Sequence, residues 1–256
     1  MRLPPPAELK REALAGLTTF FTMAYIVVLN PAILSGSGTG MPFSGVLTAT
    51  VLLSFTMTLL MGAYARLPFA VAPGMGLNAF FAYSIVLGRG VPWQTALGVV
   101  FWAGVLFTLI SVTPIRVKIA EAIPDSLRTG AAAGIGLFLA FIGLKNAGFV
   151  VADPATLVKL GVLDKKVFLS LAGGALTVYL MSRRSAFAFL AGIFAVTGAS
   201  WAMGLIAAPD SAFSAPDFSS VFLKLDIRGA LSLALLPAII SILFTDLFDS
   251  ISTFVC

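Results

Sequence analysis

Long apolar stretches, cut by short polar breaks, set the pattern of the chain. Runs of roughly 17–25 apolar residues have the length at which an α-helix crosses the hydrocarbon of a bilayer. Such runs fall near 15–34, 46–65, 69–88, 92–112, 130–148, 167–182, 186–207 and 231–255, and most charges lie in the breaks between them. Residues 208–230 form the longest break, a loop with room for a short interfacial helix. The pattern predicts an all-α integral membrane protein with eight spans and no soluble domain. The last run reaches Cys256 without a flanking charge or polar anchor. One repeat of seven spans plus the truncated opening of a second is therefore expected, and an odd number of spans per repeat inverts the second copy.

Composition strengthens this picture. Of 256 residues, 59% are hydrophobic and 11% charged, where a soluble domain carries about 25% charged residues. With a mean hydropathy of +1.04, there are too few polar side chains to cover a globule, so the lipid bilayer is the expected surrounding partner. The net charge of +5 is scattered singly or in pairs, with no basic stripe, which argues against nucleic acid. One cysteine and no histidine exclude an internal disulfide framework, histidine metal ligation and Ser-His-Asp catalysis. No metal, no cofactor and no enzymatic activity are expected, and the polar N-terminus lacks the form of a removable signal peptide.

Lys and Arg set the orientation. Arg2, Lys10, Arg11, Arg66, Arg116, Lys118, Arg128, Arg183 and Arg184 fall on one side, and Arg89, Lys145, Lys159, Lys165, Lys166, Lys224 and Arg228 on the other. The pair Arg183-Arg184 and the uncharged loop 35–45 place the N-terminus in the cytoplasm.

Two places carry candidate chemistry. Asp246 and Asp249 are the acidic residues inside a span, where a carboxylate costs at least ~2.5–3.5 kcal/mol. Spaced at i and i+3, they share a helix face and must meet a cavity or a partner group. Two acids this close in a low dielectric resist being ionised together, so one becomes a candidate proton carrier. The bland alternative is a pair that only bonds neighbouring helices. In LPFAVAPGMGLNAFFAYS, Pro68, Pro73, Gly74 and Gly76 interrupt an apolar run. This predicts extended chain over 68–75 and a half-helix over 77–88, with its free N–H groups and positive dipole end facing a cavity. Asn78 offers a donor and an acceptor, which suits a heterocyclic edge; a simple proline kink with Asn78 satisfied locally is the alternative.

Weaker candidates flank these. Thr18 and Thr22 lie on one face of the first span near Tyr25, and Asn30-Pro31 ends or kinks that span; threonines in such helices often bond their own i−4 carbonyl. Phe80 and Phe81 beside the break could stack on a flat ring, although core packing is the default. The stripe GAAAG at 130–134, continuing as AAAGIG, permits close helix packing without a ligand.

Taken together, GLTTFFTMAYIVVLNP, LPFAVAPGMGLNAFFAYS and LFTDLFDSIST resemble the purine permeases of the nucleobase–cation symporter superfamily, in the hypoxanthine/adenine/guanine (AzgA-like) branch. The resemblance implies fourteen spans in two inverted repeats. It implies a core domain of spans 1–4 (residues 1–112) with span 8 (231–256), and a gate domain of spans 5–7 (113–207). It places the substrate between span 3, span 8 and span 10. Asn78 then matches a purine-binding asparagine, with Gly76 and Leu77 amides and the Phe80 ring beside it. Asp246 matches the carboxylate at the substrate, and Asp249 a second aspartate implicated in transport. A span-10 carboxylate is not contained in these residues, so they are not expected to transport alone, and glycine is expected where Cys256 stands. The implied function is proton symport of a purine base by alternating access in the cell membrane, with a homodimer left open. An anion transporter or channel of the same fold is the alternative, disfavoured because two carboxylates repel an anion.

Overall fold

The computed structural model describes residues 6–36, 38–114, 118, 124–207 and 215–255. The first apolar run folds as α1 (Pro6–Met23) and α2 (Ile26–Leu34). Pro31 lies inside α2 rather than ending the span, and the discontinuity falls earlier, at Ala24-Tyr25. There the backbone tightens, with Val27 and Val28 N–H groups bonding three residues back, to Ala24 and Tyr25 O, both at 3.2 Å. The helix α3 (Phe43–Ala63) follows, then α4 (Met75–Ala79), a π-helix (Phe80–Leu87), α5 (Trp93–Ser111) and α6 (Asp125–Asn146). After a hairpin of β1 (Val150–Asp153) and β2 (Leu157–Leu160) come α7 (Lys165–Ser182), α8 (Ala188–Ala202), a 3-10 turn (Gly229–Leu231) and α9 (Leu236–Val255).

Three helical stretches among the described residues are long and apolar enough to cross a membrane: Lys10–Leu34, Phe43–Ala63 and Trp93–Ser111. Met75–Leu87, Ala133–Asn146, Ala188–Ala202 and Leu236–Phe248 are apolar but shorter. Large apolar side chains point outward along them, with Leu14 66%, Phe55 63% and Phe194 70% exposed. Such a surface suits lipid rather than water.

The residues divide into two compact units, the first Met1–Leu29, Thr50–Ala72 and Phe141–Ala215, the second Asn30–Ala49, Pro73–Ala140 and Pro216–Cys256. In the first, α7 and α8 form a helical hairpin closed by glycines. A Cβ on Gly173 would stand 2.1 Å from Val196 Cγ2, and one on Gly192 equally close to Thr177 Oγ1. Asp164 caps α7 by accepting from Val167 N–H at 2.9 Å. Aromatic contacts join the α1 end to α8, Phe21 with Phe187 at 4.6 Å and Tyr25 stacked on Phe189 at 4.8 Å.

The hairpin corrects the expectation of a purely α fold. Val150 to Asp153 pair antiparallel with Leu160 to Leu157. Asp153 fastens the turn by accepting from the N–H groups of Ala155 and Thr156, and it pairs with Lys159 at 3.1 Å. These contacts hold its carboxyl below the usual range, the Ala155 N–H being the largest cause. A second correction concerns the 130–136 stripe. Among the described residues, Cβ atoms on Gly130, Gly134 and Gly136 would meet nothing within 4 Å, so the close packing described falls on other glycines.

In the second unit, α5 is the centre. It carries the buried Ala96, Val99 and Ala103, and packs against α9, the π-helix and the 3-10 turn. A Cβ on Gly98 would come within 2.1 Å of Asp226 O, so the loop backbone lies directly on the helix.

Candidate functional site

Asn78 lies in the second unit, just after the point where the chain returns to helix. Residues 66–74 are not helical. Pro68 and Pro73 bring no N–H, and Pro73 disfavours helix at Ala72. Helix resumes at Met75 behind an extended Gly74 (φ −74°, ψ 119°). The first helical bond runs from Asn78 N–H to Gly74 O at 3.2 Å, so the amides of Met75, Gly76 and Leu77 precede the helical ladder. The π-helix that follows α4 is eight residues long, unusual for a form that mostly appears as single turns, frequently at functional sites.

Asn78 donates from Nδ2 to Oδ1 of Asn30 on α2. Asn30 is 2% exposed, whereas Asn78 is half-buried. The helix α9 touches α4. Ile239, Ile242 and Asp246, spaced three and four apart, share a face of α9; the two isoleucines are buried, and Asp246 is half-buried and makes a polar contact of its own. Asp249 belongs to the same helix, with its side chain outside the described residues. Leu77 and Phe80 are half-buried beside Asn78, while Phe81, 4% exposed, is core. Gly76 serves close packing, because a Cβ there would stand 2.7 Å from Ile135 Cγ2 on α6.

Thr18 and Thr22 lie in the first unit. Their hydroxyls donate to Leu14 O at 2.9 Å and Thr19 O at 2.8 Å, on their own helix. A cavity of about 740 Å³ opens in that unit between α1, α3 and residues 67–72, lined by Thr19, Phe20, Met23, Phe55 and Phe69 among others. Thr58 stands at its wall and was not singled out by spacing. Its hydroxyl accepts from Val71 N–H at 2.9 Å and donates to Val71 O at 3.1 Å, fastening this non-helical segment to α3. Asn30, like Thr58, is a partner that sequence separation concealed; its position inside an apolar helix was the one available signal.

The loop before α9 is fastened by two aspartates. Asp217 accepts from Ser44 Oγ at 2.8 Å and from the amides of Ser219 and Ser220 at 3.1 Å. Hydrogen bonding from Ser220, then from Ser44, holds its carboxyl down at about 2. Asp226 accepts from Thr95 Oγ1 at 3.2 Å and from Gly229 N–H at 2.9 Å. Both anions thereby sit beside the first turns of α3 and α5, where the helix dipole favours negative charge.

The sequence profile described as Permease family, of the xanthine/uracil permease type, matches residues 10–256. A putative permease of Methanocaldococcus jannaschii is 49% identical over 96% of this chain and 56% of its own length. The adenine permease AdeP of Escherichia coli is 39% identical over 96% of this chain and 55% of its own. The guanine/hypoxanthine permease PbuO of Bacillus subtilis is 51% identical over 68% of this chain and 40% of its own. The chain thus spans about half the length of the curated relatives it matches.

Proposed function

The chain belongs to this permease family, and from that premise we propose that the transporter it contributes to imports purine bases together with protons. The family is one of permeases, not enzymes, and its apolar helices are those of a multi-pass membrane protein. Relatives named for adenine and for guanine and hypoxanthine support a purine as the substrate. The observation that carries the site is the contact of α9, bearing Asp246, with α4, bearing Asn78.

In this reading a purine N–H donates to the Asp246 carboxylate. Asn78 and the leading amides of α4, Gly76 and Leu77, bond other ring positions, and Phe80 offers a flat apolar face. Asp249 or Asp246 carries the coupled proton, whose binding sets the affinity of each facing state. Residues 1–112 and 231–256 act as the core that moves against a gate of 113–207, with the N-terminus in the cytoplasm of a cell whose inner or plasma membrane holds the protein. Thr18 and Thr22 stay secondary, because their hydroxyls are already bonded within α1.

Uptake of labelled hypoxanthine, adenine and guanine by cells expressing the full-length permease tests this. Accumulation that collapses on adding a protonophore is the expected result. Uptake indifferent to the proton gradient would remove the coupling, and transport of other solutes in place of purines would remove the substrate class.

A further inference from the structure

We propose that Asn30 is a positioning residue for the purine site, holding the Asn78 carboxamide so that its oxygen is turned to the bound ring. The proposal rests on Asn78 being a substrate contact. A carboxamide has donors at one end and an acceptor at the other, in nearly the same shape. Its own bulk therefore does not decide which end a ligand meets; the partner does.

Asn30 presents Oδ1, so Asn78 must present Nδ2 to it. Asn30 is 2% exposed and makes a further contact besides this one, so it is closed to a ligand. Asn78 is half-buried, and its backbone N–H is already bonded to Gly74 O. With one Nδ2 hydrogen held by Asn30, the carboxamide is fixed so that the edge left to a ring carries Oδ1 beside the second N–H. That oxygen accepts from a ring N–H and repels a ring nitrogen lone pair, which makes Asn30 a determinant of which purines are read, without touching them.

The test is competition against labelled purine uptake by the full-length permease, using hypoxanthine and its 1-, 7- and 9-methyl derivatives. Methylation of the nitrogen that faces Asn78 should weaken competition about tenfold in the wild type, roughly the value of one hydrogen bond. In Asn30→Leu the Asn78 carboxamide can turn over, and that one penalty should shrink by about threefold or more while the others stay. Asn30→Asp keeps an acceptor towards Asn78 and should keep the wild-type pattern. If Asn30→Leu does not reach the membrane, Asn30→Ser, too short to meet Asn78, carries the same expectation. Equal weakening for all ligands in these variants would mean a packing role and overturn the proposal. An unaltered methyl pattern in Asn30→Leu would overturn it too, leaving the purine reading intact, whereas no competition by any of these bases in the wild type would overturn both.

Discussion

In α1, Thr18 and Thr22 turn their hydroxyls back onto Leu14 O and Thr19 O; in the second unit, Asn78 reaches Asn30, 48 positions away, and Asp246 stands on a helix that touches α4. The difference is one of capacity. A hydroxyl has a single donor, and a helix carbonyl can absorb it. A carboxamide or carboxylate has more valences than its own helix can take, so other elements must supply the rest. Where that happens in an apolar setting, a polar solute finds groups already desolvated and aimed. The position of a polar residue in a span therefore says less than the number of bonds it needs.

The largest effect is expected from Asp246→Asn. Loss of the charge should lower purine kcat/KM about 10- to 100-fold, the range for hydrogen bonds to charged groups, with membrane expression unchanged; uptake within twofold of wild type would break the contrast. Next comes Gly76→Ala. Its Cβ would press on Ile135 Cγ2, with an overpacking cost of about 1–3 kcal/mol. Thermal unfolding in detergent should show the loss and should show Ile135→Ala restoring it, and no restoration would mean that α4 and α6 do not meet there.

The Ser44 hydroxyl offers a smaller and sharper check, since it leaves its helix for a carboxylate. Asp217 lies at about 2, below the ordinary carboxylate value of 3.8. A depressed value means that the stabilising contact is complete above the ordinary value and is lost as pH falls through about 2. Hydrogen exchange in residues 217–220 should accordingly be flat from pH 7 to about 4, apart from intrinsic chemistry, and rise below that. Protection that fades between pH 7 and 5 would contradict the assignment. The smallest effect is expected from Thr18→Val with Thr22→Val: self-bonded hydroxyls should change stability by less than about 0.5 kcal/mol and leave purine KM within about twofold. A tenfold rise in KM would return them to the site.

Much of the helical content was legible because an apolar run long enough to span a bilayer has few other folds. Pro73 and Gly74 state where helix cannot be; the half-helix was expected from 77, and helix resumes at Met75. The hairpin at 150–160 was not, because four-residue strands leave too short an alternation to separate from a polar break. The packing glycines were misread for a similar reason. GAAAG looks like a contact stripe in isolation, but whether a glycine meets a neighbour depends on what lies opposite: among the described residues Gly76 meets Ile135, and Gly134 meets nothing within 4 Å. For the Asn30–Asn78 pairing the place of Asn30 inside an apolar helix was the one signal, because hydrogen-bond partners across a fold carry no periodicity.

Thr58 holds both backbone groups of Val71 with one oxygen, so a lone side chain satisfies a residue that lies outside any helix or strand. Only an alcohol can give and receive in this way from so short a tether. Position 58 is consequently limited to threonine or serine for as long as Val71 relies on it, and a change to valine would oblige residues 66–74 to find other partners.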